Sequence, residues 1–170
     1  MKILKRFTLI LIILISNVSF AFSNDKIVFF DLDLVIKKSN IGMITLKKIN
    51  KLNNENIQKL KAKENELKKQ ENEIKKKQII LSSEELNKEI ILLENKINQF
   101  RKDKNEMVNN FNKNKNIELE NLFKLINPII QNFMEKNSIN ILIERKNVFL
   151  GKINSDITSD LINVINKEIK

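Results

Sequence analysis

Leu60, Leu67, Ile74 and Leu81 recur every seven residues, and Leu86, Ile90, Leu93, Ile97, Phe100, Met107 and Phe111 follow at spacings of four and three, with polar Lys104 in one slot. That spacing is the a/d seam of one helix packed against another. Residues 84–120 contain no glycine or proline that would end it. A seam of this length needs a facing helix, and the question is where the chain supplies one.

The stretch KKKQIILSSEELNKEI, residues 75–90, supplies the answer. Lys75, Lys76 and Lys77 fall where a helix C-terminus favours positive charge, and Glu84 and Glu85 where an N-terminus favours negative charge. Ser82 with Glu85 fits a capping box, and Ser83 is a second candidate cap. Stop followed by start predicts a hairpin with its tip near residues 80–83. Folding back near Leu81 sets Ile74 against Ile90, Leu67 against Ile97 and Ile57 against Met107. The layers between are mismatched: Glu71 meets Leu93, Glu64 meets Phe100 and Asn53 meets Phe111. Each arm of about 35 residues reaches roughly 50 Å, with a tip expected to be flexible because half its layers are unfilled.

The flanks read differently. Ile27–Asp31 is expected as a strand turning into helix, with Ser39 or Asn40 capping the first arm. After the second arm, LFKLINPIIQNFM is apolar on nearly all sides, and Pro128 suggests a kink or a new helix start. Two short strands are expected at Ile139–Ile143 and Val148–Leu150, joined by a polar turn at 144–147. Asp156 or Thr158 is then expected to cap a last helix carrying Leu161, Ile162 and Ile165. The class is α+β, predominantly α: a long antiparallel coiled-coil hairpin (44–118) projecting from a small β-sheet head built from 22–43 and 119–170. Ile27, Phe29, Ile141, Ile143 and Phe149 are expected in the core of that head or of its oligomer. About 80 residues make a marginal core alone, so self-association is expected to complete it.

Residues 1–21 read as a cleavable signal peptide. Lys2, Lys5 and Arg6 precede an apolar run from Phe7 to Ile15 broken by Thr8, and Ser19-Phe20-Ala21 fits the cleavage pattern, with Ser23 a second site. The run is shorter than a bilayer span of about 18 to 20 residues. An exported, soluble protein is expected. Without cysteine or histidine there is no disulfide framework, no thiolate and no imidazole base; with two glycines there is no Gly-rich phosphate loop. No nucleophile–base pair, metal cluster or cofactor loop appears, so neither an enzyme nor a cofactor is expected.

Charge is segregated. The net +10 falls to +7 without the signal peptide, and residues 47–115, with 18 basic and 11 acidic side chains, carry all of it. Such a surface meets something acidic: polypeptide, anionic lipid or nucleic acid, the last disfavoured by export.

Taken in order, the signal peptide, IVFFDLDLVI, two basic heptad arms around LSSEEL, a proline-interrupted apolar helix, INILIERKNVFLG and DITSDLINVI resemble the Skp (OmpH-like) periplasmic chaperones across essentially the whole mature chain. The resemblance implies a homotrimer whose β-rich head carries three hairpins around a cavity. It implies a periplasmic holdase that keeps unfolded outer-membrane β-barrel proteins from aggregating, without ATP. Anionic lipid or lipopolysaccharide is a further candidate partner on the ground of the basic charge alone, and the sequence leaves open whether lipopolysaccharide binds. Where many relatives carry glycine before the second strand, this chain has Asn137-Ser138, and asparagine tolerates the left-handed conformation.

For such a task the attracting field is expected from Lys59, Lys61, Lys63, Lys68, Lys69, Lys75, Lys76 and Lys77, though each alone also reads as part of a solvated helix face. Short-range contact is expected from Ile91 and Leu92, outside the seam, from Ile79 and Ile80 at the tip, and from partly covered Phe100 and Phe111. Packing against the head, a neighbouring arm or the turn is the competing reading of these six. The alternative from another class is a coiled-coil envelope spacer or adaptor binding anionic lipid or protein; a spacer gains little from folding back.

Overall fold

The computed structural model describes residues 25–169. The expected signal peptide and its cleavage site lie outside the described residues. In chain order the elements are β1 (Lys26–Phe30), α1 (Leu32–Lys38), α2 (Asn40–Lys77), α3 (Ser83–Lys136), β2 (Ile139–Glu144) and α4 (Thr158–Glu168), with short 3-10 turns at Arg145–Asn147 and Ile153–Ser155.

Each break in the helical pattern has a local cause. Asp31 ends β1 and caps α1, its carboxylate accepting from the Leu34 N–H at 2.9 Å. Ser39 is both the last cap of α1 and the first of α2, its hydroxyl accepting from the Gly42 N–H at 3.2 Å. Gly42 is required there. A Cβ at this position would collide with the Ile36 carbonyl oxygen and the Ser39 hydroxyl.

At the far end the capping box forms as expected. Ser82 Oγ accepts from the Glu85 N–H at 3.3 Å, and Glu85 Oε2 accepts from the Ser82 N–H at 3.1 Å. The hairpin therefore closes over residues 78–82. By helical rise α2 is about 57 Å long and α3 about 81 Å. Pro128 neither ends α3 nor begins a new helix; α3 runs unbroken from Ser83 to Lys136. Its apolar neighbours Ile126 and Ile130 are buried in the head and hold this stretch helical despite the missing N–H.

β1 and β2 form a two-stranded parallel sheet in which Ile27, Val28 and Phe29 face Ile141, Leu142 and Ile143. A parallel pair needs a long crossover, and here the crossover is the entire two-helix arm. Val28, Val35, Leu122, Ile126, Ile130, Ile139, Ile157, Leu161 and Ile165 make the buried core, drawing on β1, α1, the base of α3, β2 and α4. The head is stitched at its edge as well. Ile157 N–H donates to the Phe29 carbonyl at 2.9 Å, and Asp31 N–H donates to Thr158 Oγ1 at 2.9 Å. Asp156 ties the Arg145 guanidinium (2.9 Å) to the Thr158 N–H (3.0 Å).

Several expectations need correction. Ile27, Phe29, Ile141, Ile143 and Phe149 are not in the core of the head. Ile27, Ile141 and Phe149 are exposed, and Phe29 and Ile143 are half-buried. Side chains alternate along a strand, and the helices cover only the opposite face, that of Val28 and Leu142. A register shift between Lys26 and Ile27 turns Ile139 inward as well. Val148–Leu150 is not a strand: the 3-10 turn at Arg145–Asn147 ends β2, and no strand pairs with 148–150. The residue in the left-handed region is Ser138, at φ 52°, rather than Asn137. The N-cap of α4 is Ile157, with Asp156 reaching past it to the Thr158 N–H.

The capping box makes the tip sensitive to acid. The Ser82 hydroxyl, and then the Ser82 N–H, hold the Glu85 carboxyl below its ordinary range. A group titrating lower in the folded chain contributes fully above its unfolded pKa, and that contribution is lost as pH falls through the folded value. Ser82→Ala is expected to weaken the start of α3 by about 1 kcal/mol. Hydrogen exchange at amides 83–86 should quicken in this variant. In the native chain the same amides should lose protection below the usual glutamate range, and Glu85→Gln should flatten that response.

Candidate functional site

The arm is held together unevenly, and that unevenness defines its surface. Along α2 the buried residues are Gly42, Thr45 and Ile49 at the base and then Leu67 alone; along α3 they are Leu93 near the tip and Leu122, Ile126 and Ile130 in the head. Leu67 and Leu93, 7% and 9% exposed, are the only two buried apolar side chains in the outer arm among the described residues. Leu60, Ile74, Leu86, Ile97, Phe100, Met107 and Phe111 are half-buried, as a partly filled seam requires.

Three expected seam contacts fail, the first being Ile90, expected against Ile74 but 39% exposed. Ile57 is 53% exposed, and half-buried Asn53, Asn56 and Leu60 take its place against α3. Gln70, not Glu71, sits at the seam: its side-chain oxygen accepts from Lys96 Nζ at 2.9 Å, while Glu71 turns out to pair with Lys75 at 2.6 Å. Lys48 and Glu118 make a second bridge between the helices, at 3.6 Å near the base. Exposed pairs like this add at most about 1 kcal/mol, so register depends on the few apolar layers.

The lysines expected to supply a basic field all lie on α2. Lys59, Lys61, Lys63, Lys68, Lys69, Lys75, Lys76 and Lys77 are all exposed. Lys63 pairs with Glu66 at 3.0 Å and Lys75 with Glu71 at 2.6 Å; the other six make no ion pair among the described residues. The Lys75 ammonium, by hydrogen bond and by charge, holds the Glu71 carboxyl below its usual range.

The predicted apolar contacts separate into two groups. Ile79 and Ile80, 93% and 83% exposed, crown the tip, and Ile90, Ile91 and Leu92 stand exposed on the first turns of α3. Leu92 also lines a cleft of about 290 Å³ between the helices with Ile74, Leu93 and Lys96. Phe100 and Phe111 remain half-buried in the seam. Phe111 lines a larger cleft, about 440 Å³, with Ile49, Leu52 and Ile117 near the base of the arm.

Apolar surface missed in the sequence lies along the outer face of α2, where Met43 and Ile44 are exposed, and on α3, where Val108 and Ile117 are. Their off-seam heptad positions were the available signal. At the head, Leu150 and Ile153 join Phe149 as an exposed apolar run, continuing the side on which Ile27 and Ile141 are bare. No group of three or more acidic side chains able to hold a metal ion occurs among the described residues. No helix among them is long and apolar enough to cross a membrane.

A family model described as outer membrane protein (OmpH-like) matches residues 26–165. The chain belongs to the OmpH-like family. The same architecture occurs in the crystal structure of a candidate outer membrane chaperone (OmpH-like) from Caulobacter crescentus, which superposes with a TM-score of 0.74 at 16% identity, covering 86% of each chain. At that identity the likeness is one of fold. No curated protein matches the sequence. The shared architecture is the small sheet joined to a long helical excursion.

If Leu67 and Leu93 carry the outer arm, Leu67→Ala should cost about 2 to 3 kcal/mol of arm stability. Ile57→Ala should change it by less than about 0.5 kcal/mol. Thermal unfolding followed by circular dichroism compares the two directly.

Proposed function

We propose that this OmpH-like protein is an ATP-independent holdase of the periplasm. It would bind unfolded outer-membrane β-barrel proteins along its arms and keep them from aggregating before insertion. The observation that carries this reading is the coincidence of unpaired lysines with bare aliphatic side chains on one prong that stands clear of its own core. Ile79, Ile80, Ile91 and Leu92 are exposed within the same segment that holds the whole positive excess of the mature chain. Contiguous bare apolar groups on a soluble surface mark a binding site, and the surrounding cations draw acidic clients from a distance that salt shortens.

Release without nucleotide requires many weak contacts on a deformable surface. A seam with only Leu67 and Leu93 buried in its outer half, at different levels, suits that requirement, because the two helices can shift against each other at low cost. Phe100 and Phe111, half-buried in the seam, are available to such a shift.

Self-association as a homotrimer belongs to the same proposal. Ile27, Ile141, Phe149, Leu150 and Ile153 leave one side of the head apolar and bare, and a head of this size gains stability from covering it. Three arms on one head would then bound a cavity lined by the exposed lysines of α2. Anionic lipid or lipopolysaccharide is a secondary partner that the same charge would attract. Export into the periplasm rests on the signal-peptide pattern of residues 1–21.

The test dilutes a urea-denatured outer-membrane barrel protein into the mature chain without ATP and follows light scattering. The native chain should keep the client in solution. Ile91→Ser with Leu92→Ser should weaken suppression while leaving helix content and oligomer mass unchanged, and client affinity should fall as salt rises from low to physiological. Undiminished suppression by the double variant would remove these residues from the mechanism, and a flat salt response would reject the role of charge.

A further inference from the structure

The cleft of about 440 Å³ between α2 and α3 near the base of the arm is lined by apolar Ile49, Leu52, Phe111 and Ile117, with lysines beside them. It exists because the seam is underfilled there. Polar Asn53 and Asn56 occupy half-buried positions on α2 below Leu60, and no apolar residue between Ile49 and Leu67 is buried. Its volume lies within the range of about 300 to 1,000 Å³ typical of sites that take a single organic group.

The charges around it are unequal in availability. Lys48 is committed to Glu118 at 3.6 Å and Lys51 to Glu55 at 4.0 Å. The Lys115 side chain makes no ion pair or hydrogen bond among the described residues, so it is the free cation of those lining the cleft. Both carboxylates of the lining are engaged, leaving a single uncompensated positive charge beside an apolar wall.

The geometry points to a defined subsite within each arm that takes one bulky apolar side chain of an unfolded polypeptide, with a neighbouring carboxylate of that polypeptide on Lys115. This deepens the holdase reading and rests on it. It differs from capture in a cavity between subunits, because both walls come from one chain. The apolar walls reward burial of an aromatic or branched side chain. Lys115, exposed and mobile, adds the preference for an adjacent acid, and its effect is correspondingly modest. A client would then be held by short apolar–acidic elements as well as by diffuse charge.

The test titrates the full mature chain, labelled at isoleucine methyl groups, with N-acetyl-Trp-Asp-amide and separately with N-acetyl-Trp-Asn-amide. The methyl signals of Ile49 and Ile117 should shift in a saturable way, and the Asp probe should bind about two- to five-fold more tightly than the Asn probe. Lys115→Gln should erase that difference, and Ile117→Gln should weaken both probes. Circular dichroism confirms that these exposed substitutions leave the arm folded. Shifts spread evenly to Ile79 and Ile80, no shift at all, or a preference for Asp that survives Lys115→Gln would each overturn the subsite. Barrel capture measured on the same sample separates the two readings. Capture without cleft binding rejects the subsite alone, and cleft binding without capture rejects the holdase while the subsite stands.

Discussion

The parallel pairing of β1 with β2 is the constraint on which the rest of the molecule depends. Two strands separated by more than a hundred residues lie side by side, Val28 against Leu142, and α1, α4 and the base of α3 bury the face they share. That closure fixes both ends of the excursion. The arm then has to return to its starting point, and the capping box at Ser82 and Glu85 lets it do so at a defined residue. Remove the closure and the same heptads are free to find partners in other chains.

Energetically the two ends differ. The head has a continuous buried core and a hydrogen-bonded edge centred on Asp156, Thr158 and Asp31. The outer arm has Leu67 and Leu93, a scatter of half-buried side chains and surface ion pairs. Stability should therefore grade from firm at the base to weak at the tip, with local opening far easier than global unfolding. A graded arm suits the proposed holdase, which would bind many sequences and let them go, better than a rigid one. The same weakness leaves the basal cleft beside Phe111 open.

Much of this was legible in the sequence. The stop–start charge pattern and Ser82–Glu85 located the reversal, because capping is a local interaction that a few neighbouring residues determine. The heptads gave the seam, apart from Ile57 and Ile90, which are exposed. Around Leu60 the seam turns toward Asn53 and Asn56, and polar residues in a seam leave no periodic trace. The strands themselves were visible, but their buried face was not. Ile27, Phe29 and Ile141 are as apolar as Val28 and Ile139, so alternation alone could not say which set meets the helices. Val148–Leu150 has a strand's composition without a partner in its own chain, and composition cannot report pairing. Gly42 and Ser138 carry tertiary and backbone requirements that no pattern around them announces.

The most direct test of the account is a distance across the arm. The chain has no cysteine, so Lys61→Cys with Lys104→Cys places spin labels on exposed positions of α2 and α3 alone, and labelling half-diluted with unlabelled chain isolates the distance within one molecule. Packed helices lie about 10 Å apart between axes, so the account predicts a distance below about 30 Å. A continuous rod would set the labels about 65 Å apart, and a distance of that size would contradict it.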